Sequence, residues 1–156
     1  MNPKTPSSPV RPLSAHLGFW MRFVSNQVSV EFERAVEARG VSVSEWVALR
    51  TLYDQADATH ASLVAALGMT KGAVSKVVSR LQDKGLVTRA AHAADARAQV
   101  LALTRAGRAL VPALARDADA NDDRFFGHLP ARQRRELMAT LQEMVRLHQL
   151  SQVPVA

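Results

Sequence analysis

Residues 63–103, LVAALGMTKGAVSKVVSRLQDKGLVTRAAHAADARAQVLAL, decide the fold of this 156-residue chain. Leu63, Val64 and Leu67 form the inward face of a short helix that Thr59 caps and Gly68 ends. Thr70 caps the next helix, in which Val74, Val77, Val78 and Leu81 recur at i, i+3, i+4 and i+7 as a single apolar stripe. Gly85 closes it after Lys84. Residues 86–90 and 99–103 then read as two short strands joined by the tip AHAADARA. Helix, glycine turn, helix and ribbon in that order describe a helix-turn-helix followed by a wing.

The polar side of the second of these helices carries Lys71, Gly72, Ser75, Lys76, Ser79 and Arg80. These groups are small, hydrogen-bonding or cationic, which is what a helix entering a major groove must present while its other side packs on a core. An ordinary amphipathic surface helix is the plainer reading of such a face. The charge distribution separates the two. Between residues 70 and 108 there are eight bases (Lys71, Lys76, Arg80, Lys84, Arg89, Arg97, Arg105 and Arg108) against two acids, Asp83 and Asp95. Elsewhere twelve bases balance twelve acids, so this quarter of the chain holds the whole net charge of +6. A concentrated excess is the electrostatic footprint expected for phosphates.

Outward from this centre the pattern is helical. Residues 1–12 contain four of the seven prolines and read as a flexible arm. From residue 13 to about 39, Leu13, Leu17, Trp20, Val24, Val28, Phe32 and Val36 mark a long first helix. Phe19, Phe23 and Val30 lie off that stripe, so the helix is expected to be covered on two sides, one of them by a second subunit. Ser44 is the expected cap of a second helix, with Trp46, Leu49, Leu52 and Tyr53 inward. After the ribbon, Thr104 caps a fifth helix in which Gly107 permits close packing and Pro112 is expected to introduce a kink. Gly127 and Pro130 break to a sixth helix ending near Leu150.

Composition excludes several function classes. There is no cysteine, hence no disulfide framework and no thiolate metal site. No apolar run approaches the ~20 residues of a membrane span, and the N-terminus lacks the apolar region of a secretory signal. No nucleophile-elbow, zinc-hydrolase, P-loop or dinucleotide motif occurs, and His16, His60, His92, His128 and His148 show no ligand spacing. No metal, no cofactor and no catalysis are expected.

The segment LGMTKGAVSKVVSRLQDKGLVTR, with the Asp95-Ala96-Arg97 element and the L-x-L-T-x-x-G run over residues 101–107, resembles the MarR family of bacterial transcriptional regulators. The likeness implies a mainly α fold with a small β-wing. Residues 13–150 would be one domain, with 41–103 as the winged helix-turn-helix and 13–39 and 104–150 as dimerisation helices, followed by a tail at 151–156. It implies a cytoplasmic homodimer, at the nucleoid when DNA-bound, on a pseudo-palindromic operator, often a repressor released by a small aromatic or phenolic ligand. Recognition positions fall on Thr70, Lys71, Gly72, Ala73, Ser75, Lys76, Ser79 and Arg80, and wing positions on Arg89, Asp95 and Arg97. Alanines around Arg97 leave fewer groove-reaching cations than is usual for the family. Family ligands commonly sit between the dimer lobe and the winged domain, where His16 and Trp20, one turn apart, would offer a hydrogen bond beside an aromatic wall; core packing is their other reading. A DNA binder indifferent to sequence and an enzyme without a recognisable motif are the alternative functions.

Overall fold

The computed structural model describes residues 10–91, 94, 99–151 and 153–155. The elements are α1 (Leu17–Glu37), α2 (Val43–Asp54), β1 (Ala58–Thr59), α3 (His60–Leu67), α4 (Lys71–Asp83), β2 (Val87–Ala91), β3 (Gln99–Leu103), α5 (Arg105–Phe126) and α6 (Ala131–Leu147), with a single 3-10 turn at Leu13–Ala15.

Local capping chemistry sets most of these boundaries. Thr59 and Ser62 exchange hydrogen bonds at the start of α3: Ser62 N–H donates to Thr59 Oγ1 at 3.2 Å and Thr59 N–H to Ser62 Oγ at 2.8 Å. Gly68 ends α3 in the left-handed region at φ 61°, where a side chain would be strained. Two residues later Ala73 N–H donates to Thr70 Oγ1 and α4 begins. The same chemistry corrects one expectation. Helix α2 is capped by Ser42, not Ser44, because the S-x-x-E spacing of a capping box runs from Ser42 to Glu45, with both reciprocal bonds formed.

The wing is part of a three-stranded antiparallel sheet in the order β1-β3-β2. Strand β2 pairs with β3 from Val87↔Leu103 to Ala91↔Gln99. The third strand, β1, has only two residues and pairs with Leu101 and Val100. It was not expected, since its partner lies forty residues away and two residues show no alternation.

The core gathers in this central module. Ala48, Leu49 and Leu52 of α2, Leu63 and Leu67 of α3, Val74, Val77, Val78 and Leu81 of α4, and Ala58, Val87 and Leu101 of the sheet are all buried. Val36 and Val41 join from the end of α1 and the loop after it, and Val111 and Leu114 from α5. Gly107 is the contact point for α5. A Cβ there would lie 2.1 Å from the Leu86 carbonyl oxygen, so only glycine lets the helix sit against the turn that starts the ribbon. Thr104 reinforces the docking, its hydroxyl donating to Gly85 O at 2.7 Å.

The terminal helices differ from expectation at their ends. Residues 13–16 do not belong to α1: the 3-10 turn is followed by extended His16 (φ −103°, ψ 125°), and Trp20 Nε1 donates back to Ser14 O at 2.9 Å. Helix α5 runs through Pro112 without interruption, the ring lying on its exposed side. Helix α6 stops at Leu147, and Gln149 beyond it has φ 50°. Of α1 only Val36 is buried, and of α6 nothing is. Within one protomer α1 is thus covered by its own chain at Val36, and the second covering is the one expected from another subunit. Helix α1 is tied to α5 by polar contacts: Asn121 Nδ2 donates to Val28 O at 3.2 Å, Arg124 pairs with Glu31 at 2.9 Å, and Arg39 forks onto Asp117.

Candidate nucleic-acid interface and ligand cavity

Because Val74, Val77, Val78 and Leu81 are spent on the core, α4 turns its other face outward. Lys71, Gly72, Lys76, Ser79 and Arg80 are exposed there, and Ala73 and Ser75 are half-buried beside them. Lys71, Lys76 and Arg80 make no ion pair among the described residues. Lys76 and Arg80, at i and i+4, repel each other in the free protein, and a phosphate between them would relieve that repulsion. Apart from its chain neighbours and its own helix backbone, no described atom lies within 4 Å of the position a Gly72 Cβ would take, so the first turn is open to close approach. Arg89 is exposed on β2. Its cross-strand partner Leu101 is buried, so Arg89 leaves the sheet on the face turned toward the helices.

Several of the expected contact groups already have partners. The Thr70 hydroxyl accepts from Ala73 N–H, and Ser75 Oγ lies 3.0 Å from His60 Nε2. That bond fastens α3 to α4 and was not foreseen, because the two residues meet only once the helix-turn-helix has folded. Lys84, counted in the basic segment, is committed internally. Its Nζ donates to Glu45 Oε2 at 2.7 Å and to Gly40 O at 2.8 Å, neutralising a carboxylate that is 1% exposed. Arg108 is placed over the Tyr53 ring at 5.2 Å. Among the described bases of this segment, Lys71, Lys76, Arg80, Arg89 and Arg105 are exposed and enter no ion pair or ring contact. Asp95 and Arg97 of the wing tip, and His92, lie outside the described residues.

A second feature is a cavity of about 330 Å³ between the terminal helices and the winged module. Val28, Ser29 and Phe32 of α1, Val43, Trp46 and Val47 of α2, and Ala118, Asn121 and Asp122 of α5 form its walls, and Pro154 of the C-terminal segment completes them. His16 and Trp20 are not among these residues. His16 is exposed at the start of α1, its Nδ1 3.2 Å from Pro12 O, and Trp20 is 50% exposed in a cluster with Phe19 and Phe23. Of Trp46 and Tyr53, both expected inward on α2, Trp46 borders the cavity. Among the described residues no three His, Asp or Glu side chains gather as metal ligands would, and no single helix is long and apolar enough to cross a membrane.

An outward cationic helix behind a helix-turn, flanked by a three-stranded wing sheet, defines a winged helix-turn-helix DNA-binding protein. Comparison with known proteins places it more closely. Residues 39–98 match the family model described as "MarR family". The chain is 30% identical over 130 residues to the HTH-type transcriptional repressor Rv2887 of Mycobacterium tuberculosis, covering 83% of this chain and 94% of that protein. It is 27% identical over 101 residues to the transcriptional regulator HosA of Escherichia coli, covering 65% of this chain and 75% of the relative. The structure of CouR from Rhodococcus jostii RHA1 bound to p-coumaroyl-CoA superposes with a TM-score of 0.75 at 26% identity, over 86% of this chain and 95% of that one. That of Rv2887 in complex with p-aminosalicylic acid does so at 0.64 and 29%, over 83% and 98%. The chain belongs to the MarR family of transcriptional regulators, and is accordingly a regulator rather than an enzyme.

Proposed function

We propose that the protein is a homodimeric transcriptional repressor that reads a pseudo-palindromic operator through α4 and the wing. A small aromatic ligand entering the cavity between α1, α2 and α5 releases it. The observation that carries the reading is the outward face of α4, where Lys71, Lys76 and Arg80 stand exposed, without acidic partners among the described residues, above a fully packed stripe. The uncovered apolar residues of α1 and α6 support self-association through the terminal helices. The repressor relative Rv2887, solved with p-aminosalicylic acid, and CouR, solved with p-coumaroyl-CoA, support the sign of regulation and an aromatic effector. In such a dimer the two α4 helices enter successive major grooves ~34 Å apart.

Selection of bound sequences from a random duplex library, followed by footprinting and repeated with aromatic ligands, tests the proposal. The expected result is one enriched inverted repeat, a discrete footprint, and its loss with some ligand. Smooth coating of any duplex with one salt slope would instead mean an architectural DNA binder. A protein that remains monomeric at micromolar concentration would overturn the dimeric reading.

A further inference from the structure

We infer that the cavity between α1, α2 and α5 accepts a one- or two-ring aromatic ligand carrying a cationic or hydrogen-donating nitrogen, and discriminates against aromatic carboxylates. The inference rests on the reading of this cavity as the effector site, and concerns the ligand's charge.

Among the described residues that line it, Asp122 is the one charged side chain, and none is Lys, Arg or His. Asp122 Oδ2 takes the Arg134 guanidinium at 2.6 Å, and Arg134 is shared with Asp123 at 3.1 Å. Two carboxylates facing one guanidinium leave the trio with a net negative charge, and the cation is already occupied on both sides. Asn121 donates its Nδ2 hydrogen to Val28 O at 3.2 Å, which leaves its side-chain oxygen as an acceptor. The α5 edge of the cavity thus offers acceptors at Asp122 and at the Asn121 side-chain oxygen, beside the one remaining Asn121 N–H donor. Phe32 and Trp46 are among its walls, and an aromatic ring attracts a cation placed over its face.

A carboxylate entering this space would lose hydration beside Asp122, a like charge that is 49% exposed and partly screened by water, and among the described lining residues no base would meet it. An ammonium or ring N–H would instead complete the vacant lone pairs of Asp122 and Asn121 while its rings fill the apolar part. The volume of about 330 Å³ lies at the small end of the ~300–1,000 Å³ usual for ligand sites, which limits the ligand to one or two rings.

The test is calorimetric titration of the full chain with three indoles of one shape and different charge: tryptamine, 3-methylindole and indole-3-acetate. Tryptamine is expected to bind best and indole-3-acetate worst, with about a tenfold or larger ratio between them, as one carboxylate at this range would impose. Asp122→Asn should bring the three within about twofold of one another, since it removes the charge but keeps an acceptor. Arg134 keeps Asp123 in that variant, and the wild-type charge series requires no substitution at all. Indole-3-acetate binding as tightly as tryptamine, or a preference unchanged by Asp122→Asn, would overturn the inference while leaving the effector site standing. If none of the three binds, the reading of the cavity as an effector site for such ligands fails, and the inference fails with it.

Discussion

Helices α4 and α6 are alike as sequences and opposite as structures. Each carries one apolar stripe at helical spacing and a polar remainder. In α4 the stripe is closed: Val74, Val77, Val78 and Leu81 are no more than 2% exposed. In α6, Leu137, Met138, Leu141, Val145 and Leu147 stay 37–61% exposed, and no residue is buried. The difference lies in what surrounds each helix. Around α4 the chain supplies α2, α3 and the sheet; around α6 it supplies the ion pairs of Arg134 and little apolar surface. An amphipathic helix states that it needs a partner, but not whether the partner belongs to the same chain.

The largest break in this comparison should come from Gly107→Ala. The added methyl meets the Leu86 carbonyl, a backbone atom that can yield only by moving the ribbon away from α5. Overpacking of this sort costs about 1–3 kcal/mol, and with a backbone contact the upper end is expected, lowering the melting temperature by several degrees. Next, Leu141→Glu places a charge in the open stripe of α6. Sizing with light scattering should show dimer converting to monomer and operator affinity collapsing, while the winged module keeps its circular dichroism. Retention of the dimer would show that α6 finds its partner elsewhere.

A smaller effect is expected on the outward face of α4. Arg80→Ala should weaken operator binding several-fold and reduce the salt slope by about one, with stability within about 0.5 kcal/mol of wild type. Equal loss of folding would make Arg80 structural. The smallest effect concerns α1 against α5. Hydrogen bonds from Arg39 hold the Asp117 carboxyl below its ordinary pKa in the folded state. A depressed carboxyl contributes stability above the unfolded pKa, lost as pH falls through the folded value. Asp117→Asn should therefore flatten the acid side of the stability profile below about pH 4 and change little at neutrality.

The caps at Thr59, Thr70 and Thr104 and the stops at Gly68 and Gly85 could be read from the chain because each is a contract among residues within four positions. So could the stripe of α4, which is covered by its immediate neighbours. What escaped reading involves distance. Strand β1 exists only because β3 lies beside it. The His60–Ser75 bond and the commitment of Lys84 to Glu45 require the fold before they can be named, and a charge count does not separate Lys84 from the bases that stay free. The cavity draws on α1, α2, α5 and the C-terminal segment, so one-turn spacing along the first helix pointed to His16 and Trp20, while the walls are further along, at Val28 and Phe32. The cap at Ser42 in place of Ser44 is a local matter, since the capping box needs the three-residue spacing to Glu45 that Ser42 alone has.

The Glu45–Lys84 pair has a mechanical meaning. Glu45 stands in the first turn of α2, between Val43 and Trp46, which both wall the cavity. Lys84 is the C-cap residue directly after α4, the helix whose outward face carries Lys71, Lys76 and Arg80. One short tether thus fastens the wall of the chamber to the heel of the reading helix. If the first turn of α2 shifts, either the heel follows or a carboxylate with almost no access to water loses its counter-charge, a penalty of several kcal/mol. The two ends behave as a strut and its footing, and neither is free to settle into a new position alone.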